Sequence, residues 1–293
     1  MQYFLFITVS VLWGINFVLM KYAVTTYTPL GVAAIRVASG AAILGAIFFI
    51  RERNWPFRIT DVAPLALIVV LGYTWPFFIQ PHLIQFCGSG VIGLMPSLVP
   101  LVTIAISVPL LGVWPSTRQF TGVLIGLGLI ALLFLDGVNR RIDTIHLLLA
   151  VTVPFSYAIS NTYVKKRFSG VPPEGLTFVC LAITSAVLIP SCLLEGESAL
   201  DRFAASDQVI LSTLCAIWLG VFGTGIALLF FTLMLQRRGP LFAGMVTYII
   251  PIIALFAGAW DGEYVSWLQI LALTGILAMV TVVQWPEKKQ MDS

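Results

Sequence analysis

Two segments set 144 residues apart pair an aromatic ring with an amide or hydroxyl three positions later: Trp13 with Asn16, and Tyr157 with Ser160. Three residues is close to one helical turn, so each pair shares a helix face, and Asn161 lies beside the second pair. A ring and an amide on one face can hold a flat apolar body and a polar headgroup without making or breaking a bond. That is the chemistry of recognition.

The stretch from Gly72 to Pro100, GYTWPFFIQPHLIQFCGSGVIGLMPSLVP, adds Trp75, Gln80, His82 and Met95 to these candidates. It is apolar enough for a membrane, yet it carries polar side chains and four prolines that a lipid-facing helix has no use for. Pro100 frees the carbonyl of Pro96, and Pro96 frees that of Ile92. Within hydrocarbon such groups are tolerated only beside other helices or a wet cavity. A second stretch, Gly220 to Pro251, answers the first, with YIIP in the place of SLVP and Tyr248 in the place of an apolar wall. Gly72, Pro96, Pro100, Gly220 and Pro251 are therefore the candidate kink and gating positions.

Arg36 lies seven residues into an apolar run, about 10 Å deep at the rise of a helix. Ala33 and Gly40 share its face, which points it into a bundle, and a charge at that depth is a functional candidate. No GxxxxGK[ST], HExxH or GxSxG occurs, so the sequence offers neither an ATP motor nor an intramembrane hydrolase. The four cysteines form no CxxC and have no histidine cluster, which predicts neither metal nor cofactor. No Asp or Glu falls in the middle of an apolar run.

The elements that must position these residues follow from composition. Hydrophobic residues make up 59% and charged residues 10% of 293, with mean hydropathy +1.00. Soluble domains carry about 25% charge, so an all-α polytopic membrane protein is expected. Apolar runs predict ten spans at about 3–22, 29–50, 62–82, 88–111, 118–135, 144–165, 173–194, 208–234, 240–258 and 266–285. Lys21, at the end of the first, is expected to reach lipid headgroups. The net charge of +3 implies no nucleic acid; its placement matters more. Eleven Lys and Arg fall on one set of connections and the C-terminal tail, against four on the other, which predicts cytoplasmic termini.

The chain also repeats itself. WGINFVLMK at Trp13–Lys21 aligns with YAISNTYVK at Tyr157–Lys165, Pro29 with Pro173, Pro100 with Pro251, and GVWPSTRQ at Gly112–Gln119 with GEYVSWLQ at Gly262–Gln269. The matches are collinear, at offsets between 144 and 151. Five spans per half is an odd number, so the second half, 141–293, must enter the membrane inverted relative to the first, 1–140. Inverted repeats of this kind place a substrate site near the midplane, at the interface of the halves.

On the WGxNF segment, the helix-4 and helix-9 prolines and the closing LFAGAWDGEYVSWLQILALTGILAMV, the chain resembles the drug/metabolite transporter superfamily in its ten-helix, two-EamA-repeat form. The acidic residue usual after helix 9 is present as Glu263, while its first-half counterpart is Val113. The resemblance implies a secondary carrier of a bacterial inner membrane, in a subgroup that includes exporters of amino acids, some aromatic. It implies a small-molecule substrate, the lipid bilayer as surroundings, and a monomer, with a dimer through Gly122 and Gly126 as the alternative. A multidrug exporter and a polytopic membrane enzyme are the competing readings. The enzyme would need a catalytic dyad that the sequence does not offer.

Overall fold

A computed structural model describes residues 2–51, 55–111, 142–195, 202–244 and 246–284, with scattered positions between 117 and 136. Among them there is no strand. The helices are α1 (Gln2–Ala23), α2 (Pro29–Arg51), α3 (Val62–Ile68), α4 (Trp75–Leu94), α5 (Val99–Leu111), α6 (Thr144–Arg167), α7 (Pro173–Leu193), α8 (Val209–Gly220), α9 (Ala227–Gly244), α10 (Val246–Trp260) and α11 (Trp267–Gln284). The expected fifth span, the Gly122 and Gly126 pair and the Gly112–Gln119 motif lie wholly or largely outside the described residues.

Local chemistry accounts for the helix ends. Pro29 and Pro173 open α2 and α7, where a missing N–H costs nothing. Asp143 caps α6 by accepting from the Ile145 N–H at 3.1 Å, and Lys165, Lys166 and Arg167 occupy its last turn, at the negative end of the helix dipole.

Two wide, π-helical turns interrupt the bundle: Val69–Thr74 between α3 and α4, and Val221–Ile226 between α8 and α9. They sit 152 positions apart, in line with the repeat seen in the sequence. Each presents a carbonyl that a neighbouring helix satisfies. Leu71 O accepts from Ser156 Oγ on α6, and Gly223 O accepts from Trp13 Nε1 on α1 at 2.9 Å.

Six helical segments among the described residues are long and apolar enough to cross a membrane. One runs 48 residues, Ile59–Ile106. At 1.5 Å per residue it would stretch to about 70 Å, more than twice a hydrocarbon core of about 30 Å, were it straight. It is broken at Gly88, whose φ of 77° and ψ of 163° are open to glycine and strained for other residues. The sequence predicts a connection over 83–87; the helix instead continues to Cys87 and a single residue makes the bend.

Candidate functional site

The centre of the bundle holds a cavity of about 100 Å³ walled by α1, α2, α4, α5, α6, α7, α9 and α10, together with the first π turn and the short turn Met95–Leu98. Trp13, Asn16, Arg36, Gly72, Gln80, Pro96, Tyr157, Ser160 and Asn161, all singled out in the sequence, line it. The structure adds Tyr73, Phe77, Phe231 and Thr232, which the sequence reading passed over. Aromatic residues are frequent throughout the chain, so type alone could not separate these from lipid-facing ones. Phe77 has a signal in its spacing, since it stands three residues before Gln80 on one helix face.

The remaining candidates sit elsewhere. Trp75 turns away from the cavity and donates from Nε1 to Thr152 Oγ1 on α6 at 2.8 Å. His82 lies near His146 on α6, ring centroids 6.2 Å apart, with Phe86 stacked on His146 at 4.1 Å. Met95, Tyr248, Gly220 and Pro251 are buried and Pro100 is partly buried, all outside the lining. One helical turn explains the division in α4. Trp75 and His82 project on the side facing α6, whereas Phe77 and Gln80 project inward.

Polar contacts in the cavity converge on the second π turn. Trp13 Nε1 and Asn16 Nδ2 both donate to Gly223 O, the latter at 3.3 Å, and Arg36 Nε donates to Thr224 Oγ1 at 2.6 Å. The guanidinium of Arg36 also lies over the Phe77 ring, 4.5 Å from its centroid, a cation–π contact. Trp13 packs against Phe231 with centroids 5.0 Å apart. Asn16 and Arg36 are 3% and 4% exposed, yet Asn16 Oδ1 and Arg36 Nη1 have no hydrogen-bond partner. Among the described residues, no Asp or Glu lines the cavity.

A second cluster closes one end of the bundle. Lys21, expected at the headgroups, instead pairs with Asp261 at 2.5 Å and Glu263 at 3.2 Å. The segment after α10 folds back over the end of α1 and brings both carboxylates within reach. Tyr22 donates its hydroxyl to Asp261, and Glu263 accepts from the Ser89 and Gly90 N–H groups, each at 3.2 Å, just past the Gly88 bend. Burial pushes both carboxyls upward. For Asp261 the hydrogen bonds from Lys21 and Tyr22 outweigh it, and for Glu263 those from Ser89, Gly90 and Lys21 do, so both stay below the usual carboxylate range.

Comparisons with known proteins agree with this architecture. The sequence profile of the EamA-like transporter family matches residues 1–135 and again 144–285. The "Uncharacterized transporter YvbV" of Bacillus subtilis (strain 168) is 26% identical over 276 residues, covering 93% of this chain and 87% of the relative. The "Uncharacterized inner membrane transporter YedA" of Escherichia coli (strain K12) is 23% identical over 278 residues, covering 93% and 87%. The "Probable amino-acid metabolite efflux pump" of the same strain is 21% identical over 301 residues, covering 97% and 96%. A crystal structure superposes on 100% of this chain and 99% of its own, at TM-score 0.70 and 19% identity, which is a likeness of fold.

Proposed function

The chain belongs to the EamA-like transporter family, and from that premise we propose that it exports amino acids or similar small metabolites by alternating access through the central cavity. In this reading ten spans form two inverted halves, 1–140 and 141–293, in a bacterial inner membrane. The protein acts as a monomer with both termini in the cytoplasm. The observation that carries the reading is the matched pairing around one cavity. Trp13 and Asn16 of α1 meet the second π turn, as Ser156 and Ser160 of α6 meet the first, with Tyr157 on the cavity wall beside them. Carriers with inverted repeats place their site at such an interface, with interrupted helices around it. The relative named as a probable amino-acid metabolite efflux pump supports the substrate class.

The test is counterflow. Purified protein in liposomes preloaded with unlabelled L-phenylalanine, L-leucine or L-threonine is expected to take up the same labelled amino acid transiently. Protein-free liposomes are expected not to. Exchange of cationic dyes with none of the amino acids would replace this substrate class with a multidrug one.

A further inference from the structure

We propose that Arg36 is the receptor for a carboxylate on the transported molecule, with Asn16 Oδ1 taking a donor, an ammonium or hydroxyl, from the same molecule. This rests on the carrier reading above and names the chemistry of its substrate.

The charges around Arg36 are out of balance. Arg36 is 4% exposed, and among the described residues its Nη1 has no partner and no acidic residue lines the cavity it borders. Its satisfied contacts, Thr224 Oγ1 and the Phe77 face, are neutral. A buried cation without a counter-charge is costly, and a guanidinium presents a fork of donors that a carboxylate matches in two places. An occupant bringing one negative charge would satisfy Nη1 and supply the missing charge together.

Asn16 gives the second point of attachment. Its Nδ2 is fixed on Gly223 O, which leaves Oδ1 as an unpartnered acceptor. Arg36 is fixed on Thr224, the next residue, so the side chains carrying the free donor and the free acceptor are anchored on consecutive residues of one turn. A carboxylate and an ammonium on one carbon, the pattern of an α-amino acid, fit that pairing of donor and acceptor. Trp13, Phe231 and Tyr157 then face the side chain, an apolar and largely aromatic wall.

The experiment compares each amino acid with its own amide, which keeps size and ammonium but removes the negative charge. Competition for counterflow by L-phenylalanine, L-phenylalaninamide, 3-phenylpropionate and phenethylamine is measured for wild type, Arg36→Lys and Arg36→Met, beside a cationic dye. In wild type the amide and amine should compete about ten- to a hundredfold less well than the acid, the worth of a hydrogen bond to a charged group. Arg36→Met should erase that difference, and Arg36→Lys should keep part of it. Equal competition by acid and amide in wild type would overturn the assignment while leaving the carrier intact. Dye exchange without exchange of any carboxylate would do the same. Absence of exchange by every probe would overturn the carrier reading and this inference with it. The wild-type comparison stands even where Arg36→Met fails to fold.

Discussion

The two π turns are one piece of architecture used twice, with different side chains. At the first, a Cβ on Gly72 would collide with Ser160, and Tyr73 meets Cys180. At the second, a Cβ on Gly223 would collide with Asn16, and Thr224 meets Arg36. Shifted by the repeat, Ser160 corresponds to Asn16, Cys180 to Arg36, Tyr73 to Thr224 and Gly72 to Gly223. The backbone and its close approaches are kept; the charge is not. The first turn meets neutral partners and the second meets Arg36, so in the proposed carrier the substrate would be held mainly from one side.

The largest effect should come from breaking what the turns share. Gly223→Val or Gly72→Val places branched bulk where a neighbouring helix already sits. Overpacking of this kind costs about 1–3 kcal/mol, and the turn can no longer close on its partner. Counterflow is expected to vanish in both. If the contact is specific, Gly72→Ala should lose most of its activity and regain part of it when combined with Ser160→Gly. Full activity of Gly223→Val in membranes would break the comparison at its root.

The cluster around Lys21 at the end of the bundle sharpens the difference in a second place. Glu263 reaches the Ser89 and Gly90 N–H groups, whereas its sequence counterpart is Val113. The positions answering Ser89 and Gly90 are Gly239 and Pro240, and a proline has no N–H to offer a carboxylate. Only the second half therefore supplies this latch. With Cys87, buried beside Gly88, kept as the sole cysteine, Glu263→Gln should raise its labelling by an impermeant maleimide about five- to thirtyfold, the worth of about 1–2 kcal/mol. Asp261 and Glu263 both titrate below their usual range, so their contribution is complete above about pH 5 and fades only as pH falls through the lowered values. The ratio of labelling in Glu263→Gln to wild type should accordingly stay flat from pH 6 to 8. A ratio that changes across that window would assign the latch to another titrating group.

Much of this was legible in the sequence, for stated reasons. Trp13 with Asn16 and Tyr157 with Ser160 could be found because one helical turn puts them on a common face and the repeat doubled the signal. Arg36 could be found because a charge deep in an apolar run has few innocent explanations. Trp75 and His82 could not be separated from Phe77 and Gln80, because α4 is apolar on every side and composition does not say which side meets α6. The partners of Lys21 were hidden for a different reason. Asp261 lies 240 positions away and Glu263 further still, in a segment whose folding back over α1 no local pattern announces.

The smallest effect should come from the neutral side of the comparison. Cys180 occupies the place of Arg36 and Tyr73 that of Thr224, and Cys180 is fully buried. Cys180→Ala removes a small, weakly polar side chain there, and the surrounding helices lose contacts rather than a charge. If the substrate is held from the Arg36 side, apparent affinity should change by less than about threefold and the discrimination between acid and amide should not move. Thr224→Val, on the Arg36 side, leaves Arg36 Nε without its acceptor and should weaken the acid about tenfold, since a hydrogen bond to a charged group is lost. The two variants are measured in the same competition assay, with protein amounts matched by immunoblot. Equal losses would mean that the halves contribute alike and that charge is not what distinguishes the two turns. A loss confined to Thr224→Val is the result expected of a symmetric frame carrying an asymmetric site.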